Sequence, residues 1–257
     1  MLVDAHCHLD FAQFDHDRQG VFEAAKAVGV SHFVVPGTTR SCWQQVLALA
    51  ERADTSVCLG LHPYFVLQHQ EADIAALDHM LAQYPDVVAV GECGIDGRFT
   101  DTLEAQWHYF DAQLKLAKHH ALPVVVHCVR ANDHVAKRLR QLALPKAGLI
   151  HAFSGSIEQA TKFLDLGFKL GLGGAVTYER AKRLQRTVKA LPDNAFVLET
   201  DSPDMPLSGY QGMRNEPRRV KQICTAVAKL RGQPEDHVAA QSSATATQLF
   251  GLSGIKP

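Results

Sequence analysis

The sequence predicts a single domain, residues 1–257, that folds as a (β/α)8 barrel of the α/β class. Eight short apolar runs alternate with amphipathic stretches along the chain. Eight strand–helix units in roughly 250 residues is the length expected of such a barrel. Most of the runs show no alternation of apolar and polar residues. Strands of this kind are buried on both faces, as in a parallel sheet covered by helices.

The apolar runs give the positions of the predicted strands in chain order. Val, Leu and Ile dominate most of them. The strands are predicted near residues 2–6, 32–36, 57–61, 87–92, 123–127, 148–151, 168–172 and 196–201. In a parallel barrel, the carboxyl ends of all these strands lie on one face, where active sites are found.

Helical patterns separate the strands, and the clearest runs from about Thr102 to His120. Its apolar residues recur at steps of four and three, which places them on one stripe of a helix. They are Leu103, Trp107, Phe110, Leu114 and Ala117. This spacing predicts that the aromatic residues of the stripe pack in the core.

The alternative fold is a doubly wound open sheet. Such a sheet normally carries a glycine-rich phosphate loop after its first strand. Here the first strand ends in His6-Cys7-His8, and the sequence contains neither a G-x-G-x-x-G nor a Walker A motif. The pattern favours the barrel.

Composition limits the classes of function and compartment. The net charge of −1 provides no global positive field for tight, non-specific nucleic-acid binding, so a polyanion would have to be captured locally. Six cysteines without a C-x-x-C pair indicate reduced thiols and a cytoplasmic location. The sequence shows no signal peptide and no apolar run long enough for a membrane span. No heptad or interface stripe predicts an obligate protein partner.

The end of the first strand carries the first chemical signal. His6 and His8 are two residues apart, and residues i and i+2 of a strand point the same way, so both imidazoles are expected to reach one space. Asp4 has the same parity and is expected to orient a histidine or a loop from behind. The alternative is a pair of histidines at a hydrated strand end, and the motif alone does not decide between the two.

Four later strands end in a potential metal ligand. The residues that follow their apolar runs are Glu92, His127, His151 and Asp201. With His6 and His8 they would converge on one barrel mouth. Nitrogen and oxygen donors without thiolate suit zinc, manganese, iron or magnesium. Six ligands are too many for one catalytic metal with an open position, so the set predicts two divalent metals.

Three cysteines lie next to these residues in the sequence. By strand parity, Cys7, Cys93 and Cys128 should point away from the metal ligands and into the barrel wall.

The chain resembles the TatD family of metal-dependent deoxyribonucleases, in the amidohydrolase-like superfamily, over essentially its whole length. The residues that carry the resemblance are Asp4-Ala5-His6-Cys7-His8-Leu9-Asp10, Gly60-Leu61-His62-Pro63, Gly91-Glu92-Cys93-Gly94-Ile95-Asp96, His127, His151-Ala152-Phe153-Ser154-Gly155, Glu199-Thr200-Asp201-Ser202-Pro203 and Arg214-Asn215-Glu216-Pro217. The resemblance implies that His6, His8 and Asp201 hold one metal, that His127 and His151 hold the other, and that Glu92 bridges them. It further implies hydrolysis of phosphodiester bonds in DNA, with magnesium as the activating metal and zinc or manganese as alternatives.

Four residues bear on substrate contact. Where members of the family often carry an arginine two residues after the strand-five histidine, this chain has Val129, followed by Arg130. If the family's arginine contacts substrate phosphate, this contact is missing here or is made by Arg130, which weakens the prediction of nuclease activity. The prediction of metal binding does not depend on it. His62, after strand three, is expected to contact substrate or phosphate; the alternative is a histidine satisfied by loop backbone. Arg214 is the late basic residue expected to reach substrate, since loops after strands seven and eight often bind phosphate.

The sequence thus predicts an enzyme that hydrolyses esters with a hydroxide activated by two metals, and Asp201 as the group that accepts and returns a proton. DNA, or another phosphodiester, is the expected transient partner. Two alternatives remain open at this stage. The same centre is suited to an amide, a lactone or a small phosphate ester, and a catalytically idle metal-binding protein would carry a similar fold.

Overall fold

Eight parallel strands pair in chain order, from β1 to β8, in the computed structural model, which describes residues 1–252. The strands are β1 Leu2–Asp4, β2 Val30–Pro36, β3 Thr55–Leu59, β4 Val87–Asp96, β5 Val124–Val129, β6 Gly148–Ile150, β7 Lys169–Leu172 and β8 Phe196–Leu198. A doubly wound sheet would place its strands out of chain order. The barrel prediction is therefore confirmed.

The first and last strands close the barrel through short contacts beyond their ends. Ala5 N donates to Leu198 O at 3.0 Å, and Asp201 N donates to His6 O at 2.9 Å. Both strands are shorter than the sequence predicts, since β1 ends at Asp4 and β8 at Leu198. Thus His6 and Asp201 belong to the loops at the mouth, where the chain is free to turn their side chains inward.

Nine helices of the α type surround the strands within residues 1–252. They are α1 Arg18–Ala27, α2 Trp43–Leu49, α3 Glu71–Gln83, α4 Leu103–His119, α5 Asn132–Leu142, α6 Ile157–Leu164, α7 Lys182–Ala190, α8 Val220–Arg231 and α9 Glu235–Phe250. Helix α4 confirms the predicted helix to within one residue at each end. Its Phe110, Leu114 and Ala117 are fully buried, as the stripe predicts.

Two buried glutamines of α4, outside the apolar stripe, anchor loops at the barrel mouth. Gln113 exchanges two hydrogen bonds with the backbone of Leu61: its Oε1 accepts from the Leu61 N–H at 2.7 Å, and its Nε2 donates to the Leu61 carbonyl at 3.0 Å. Gln106 Oε1 accepts from Asp96 N at 2.7 Å. Buried backbone groups need such partners. The helix therefore fixes the loop that carries His62 and the end of β4.

A separate apolar cluster fills the interior of the barrel, and α9 covers it at the end opposite the mouth. Its members from the strands, and from the residue after β1, are Val3, Ala5, Val34, Cys58, Ala89, Val125, Leu149 and Val197, and α9 and its end add Ala246, Phe250 and Leu252. Side chains from so many strands meet only inside the barrel. Ser243 of α9 donates to the Met1 carbonyl at 3.3 Å, which places the helix near the start of β1, opposite the mouth.

None of the helices described for residues 1–252 combines the length and the hydrophobicity that spanning a lipid bilayer requires.

Replacing Phe250 with alanine should lower the free energy of unfolding by about 3–5 kcal/mol, because the ring is buried beneath the barrel interior and its loss leaves a cavity. Urea unfolding followed by circular dichroism measures the change. Gln248→Ala, an exposed position on the same helix, is the control and should stay within about 0.5 kcal/mol of the parent. Equal stability of the two variants would contradict the conclusion that α9 stabilises the barrel by covering its apolar interior.

Candidate metal centre

The Glu92 carboxylate lies at the centre of the barrel mouth and is 1% exposed. Its two oxygens face two different groups of histidines. Oε2 lies 3.0 Å from His6 Nε2 and 3.4 Å from His8 Nε2. The second oxygen, Oε1, lies 3.0–3.2 Å from nitrogens of His62, His127 and His151. All six predicted ligands thus reach one space, with Asp201 completing the first group.

The first group has the dimensions of a tetrahedral metal site. Asp201 Oδ1 lies 3.4 Å from His6 Nε2 and 3.5 Å from His8 Nε2, and the two histidine nitrogens are 3.3 Å apart. Ligand bonds of about 2.0–2.1 Å to a tetrahedral zinc place neighbouring donors about 3.3 Å apart. The distances that join His6 and His8 to each other, to Asp201 and to Glu92 match that spacing. The donor set therefore fits one divalent ion.

The second group contains His127 and His151. His127 lies between two carboxylates: its Nε2 is 3.1 Å from Asp96 Oδ2, and its Nδ1 is 3.1 Å from Glu92 Oε1. His151 uses the opposite nitrogen: Nε2 faces Glu92 at 3.2 Å, while Nδ1 lies 3.4 Å from Glu199 Oε1. Each histidine thus turns one nitrogen toward Oε1 and the other toward a second carboxylate. A metal beside Oε1 would take the first nitrogen, and the proton would stay on the second.

His62 joins this group as a hydrogen-bond donor. Its Nδ1 accepts from the Tyr64 backbone N–H at 3.0 Å, so the proton of the neutral ring sits on Nε2, which donates to Glu92 Oε1. Burial lowers the pKa of His62 to about 4, which leaves the ring neutral at pH 7. A protonated Nε2 cannot bind a metal but can donate to a phosphoryl oxygen. Substrate contact by His62 stays a prediction.

The charge of the two carboxylates suits a cation. Burial by itself raises the pKa of Glu92, but the histidines around it, with His62 the strongest contributor, hold it well below its usual range. The pKa of Asp201 is likewise lowered: burial acts to raise it, and His151 and His8 outweigh that effect. Both groups are therefore ionised at neutral pH, which is the state that metal binding requires.

Two buried carboxylates behind the ligands were not singled out from the sequence. Asp96, at the end of β4, accepts from His127 and from the Arg98 guanidinium, with Arg98 Nε at 2.9 Å. Glu199, fully buried, accepts from Ala152 N at 2.5 Å and faces His151. A signal was available for both, since each follows a strand at the mouth and lies close in sequence to a predicted ligand. Ligand histidines commonly use such partners to fix their orientation.

Gly171 of β7 makes room for Glu199. A Cβ built at position 171 would lie 2.2–2.4 Å from the Glu199 carboxylate. The neighbouring strand therefore carries no side chain where the carboxylate enters the barrel. At Gly173 a Cβ would meet Glu199 only at 3.6–4.0 Å, an ordinary contact.

Asp4 has the supporting role that the sequence predicts. Its Oδ1 accepts from Thr200 N at 2.9 Å, and its Oδ2 accepts from the Thr200 hydroxyl at 2.6 Å. The loop that carries Asp201 is thereby tied to β1. The predicted orientation of a loop from behind the ligands is confirmed.

The cysteines next to the ligands point into the wall of the barrel, as predicted. Cys7 Sγ donates to Val34 O at 3.8 Å, and Cys93 Sγ donates to Val125 O at 3.6 Å. Cys128 Sγ donates to the Asn132 side chain at 3.2 Å. Burial raises the pKa of all three thiols, which keeps them protonated at neutral pH.

Arg214 is held by groups of the protein. Its guanidinium donates to the Asp17 carboxylate at 2.6 and 2.8 Å and to the Gln13 carbonyl at 2.6 Å, and it lies 4.6 Å from the centre of the Phe14 ring. Among residues 1–252, no hydrogen bond or ion pair joins it to a predicted ligand. The arginine ties the loop after β8 to the start of α1. A substrate would have to compete with Asp17 for it, and substrate contact stays a prediction.

The chain is similar to known proteins over nearly its whole length. A sequence profile of the family described as TatD related DNase matches residues 3–251. The chain is 40% identical over 240 residues to the metal-dependent hydrolase YjjV of Escherichia coli, covering 92% of this chain and 93% of YjjV. It is 35% identical over 261 residues to the 3'-5' ssDNA/RNA exonuclease TatD of Erwinia amylovora, covering 98% and 100%. The crystal structure of Escherichia coli YjjV matches with a TM-score of 0.94 at 39% identity, covering 97% of this chain and 98% of that one.

Replacing Gly171 with alanine should weaken metal binding about 10- to 100-fold, because the new methyl group displaces Glu199 from His151. Titration of the metal-free protein against a chromophoric chelator measures the affinity. Gly173→Ala is the matched control on the same strand end and should bind metal like the parent. If the two variants bind metal equally, the support of His151 by Glu199 is wrong.

Proposed function

The chain belongs to the family of TatD-related DNases, which makes it a metal-dependent hydrolase of ester bonds, and we propose that it cleaves phosphodiester bonds in single-stranded nucleic acid. The observation that carries the proposal is the arrangement around Glu92. One carboxylate presents its two oxygens to two separate sets of donors, as a bridge between two cations requires.

We propose that His6, His8 and Asp201 hold one divalent cation and that His127 and His151 hold the other, with Glu92 between them. The donors are nitrogen and oxygen only, which suits magnesium, manganese or zinc, and we propose magnesium for activity. Two cations bound in this way would lower the pKa of a water molecule between them and offset negative charge on the phosphoryl group.

Asp201 is the residue that moves the proton. Its carboxylate is ionised at neutral pH and remains 15% exposed, whereas Glu92 is closed to solvent. A water molecule at the mouth can therefore reach it. We assign to Asp201 the acceptance of a proton from the attacking water and its return to the leaving oxygen.

His62 provides the neutral donor of the site. Its Nε2–H points at the space around Glu92 Oε1, and its other nitrogen is held by the Tyr64 backbone. A substrate phosphoryl oxygen in that space would receive this hydrogen bond. Negative charge that develops on the oxygen would strengthen the bond, which favours the transition state over the ground state.

The free state of all six cysteines fits the reducing cytoplasm, where we place the enzyme.

Asp201→Asn should lower the rate of cleavage of single-stranded DNA about 10²- to 10⁴-fold, because the amide cannot accept the proton. Metal-stripped protein is assayed after addition of magnesium, manganese or zinc, with bis-p-nitrophenyl phosphate as a second substrate. Glu51→Gln, an exposed carboxylate between α2 and β3, is the control. A near-parental rate of Asp201→Asn with metal bound would refute the proton transfer.

The substrates distinguish the proposal from its alternatives. Metal-dependent cleavage of both DNA and the small ester supports a nuclease. Cleavage of the ester alone would retain the metal centre and assign a small phosphate ester as substrate. If the protein with bound metal cleaves neither the DNA nor the small ester, an amide or a lactone is favoured as the substrate.

Metal content tests the assignment of ligands to two sites. The loaded protein should contain two equivalents of metal per chain, and His8→Ala or His127→Ala should each retain about one, since each removes a ligand of a different ion. Glu92→Gln should weaken both. Elemental analysis after gel filtration gives the counts. One equivalent in the parent protein would show a mononuclear centre.

A further inference from the structure

Two aromatic rings stand exposed at the rim of the metal centre. Tyr64 is 61% exposed and Phe99 is 39% exposed, and they are large apolar side chains of the kind that folded proteins usually cover. Tyr64 follows β3 and Phe99 follows β4, yet their ring centres lie 5.5 Å apart with an angle of 75° between the planes. We refer to these two residues as the aromatic pair.

Each member of the aromatic pair is tied to the metal centre by a short chain of contacts. The Tyr64 backbone N–H donates to His62, whose Nε2 lies 3.0 Å from Glu92. The backbone N–H of Phe99 donates to the Asp96 carbonyl at 3.2 Å, and Asp96 holds His127. The backbones of both residues are therefore fixed next to His62 and Asp96, which contact the second group of donors.

Arg98 adds positive charge next to the pair. Its guanidinium carbon lies 5.5 Å from the centre of the Phe99 ring, and its Nε and Nη2 atoms bind Asp96. The side chain is 51% exposed, and its Nη1 donates to no atom among residues 1–252. That group remains open to a phosphate oxygen. The proximity to Asp96 raises the pKa of Arg98 further, so the charge is permanent.

We propose that the aromatic pair is the subsite that stacks a nucleobase of the single strand whose phosphodiester lies at the metal centre. The inference rests on the proposed function and adds to it the recognition of a base. Exposed aromatic rings beside a positive charge are the usual means of binding single strands without sequence preference, because every base has a flat face. Stacking requires an unpaired base, which would exclude an intact duplex from the site.

The size of the surface argues against a protein partner as the occupant. A stable protein interface buries about 800 Å² on each side. Two rings and a guanidinium provide a small fraction of that area, and they follow β3 and β4 at the end of the barrel that carries the donors. A single base with its phosphate matches both the area and the charge.

The test compares an oligonucleotide that carries a base at the cleaved nucleotide with one that is abasic there. For the parent protein loaded with metal, the abasic substrate should show a KM roughly fivefold to a hundredfold higher. Tyr64→Ala and Phe99→Ala should raise the KM for the normal substrate by a similar factor, and should remove most of the difference between the two substrates. Their metal content should equal that of the parent, because neither side chain faces Glu92.

Leu67→Ala is the matched control. Leu67 lies in the same short helix as Tyr64 and is 85% exposed, but it carries no ring. A second readout is independent of turnover: 2-aminopurine at the same nucleotide should lose fluorescence on binding to Asp201→Asn, and should lose less when Tyr64→Ala is added.

The outcomes separate this subsite from the proposed function. If the parent cleaves normal and abasic strands with equal KM, or if Tyr64→Ala behaves like Leu67→Ala, base stacking by the aromatic pair is wrong and the nuclease assignment stands. If the loaded parent cleaves no single strand while hydrolysing a small ester, the proposed substrate and the subsite are overturned together.

Discussion

A carboxylate that is almost fully removed from water must be surrounded by groups that stabilise its charge, and the mouth of this barrel is organised around that requirement for Glu92. Five histidines from the ends of β1, β3, β5 and β6 approach its two oxygens. Their combined effect lowers the pKa of the carboxyl well below the range that burial alone would give. An anionic, preformed cage of nitrogen and oxygen donors is the physical basis for metal binding here.

The proposed ligands are held by a second layer of carboxylates. Asp96 faces Nε2 of His127, Glu199 faces Nδ1 of His151, and Asp4 fixes the loop of Asp201. Gly171 leaves open the space that the Glu199 carboxylate occupies. Such indirect contacts would determine which nitrogen atoms face bound metals, a choice that the proposed ligands by themselves do not make.

The two ends of the barrel are specialised in opposite ways. Apolar side chains and α9 close the end opposite the mouth, where packing contributes stability. The mouth carries buried polar groups that contribute little to stability and much to chemistry, as expected for barrels of this type. Arg214 shows the limit of a prediction from position: it lies on the expected loop, but an ion pair with Asp17 already engages its guanidinium.

The sequence by itself determined the eight strands, their order and the six residues that converge at the mouth, because hydrophobic patterning and the common direction of parallel strands suffice for these. Only the tertiary structure decided how the two oxygens of Glu92 are divided between two sets of donors. It also decided that His62 is a hydrogen-bond donor and that the ring of Tyr64 contacts that of Phe99. The reason is physical. Strand parity gives the direction of a side chain on its own strand, whereas distances between atoms on different strands depend on the register and curvature of the closed barrel.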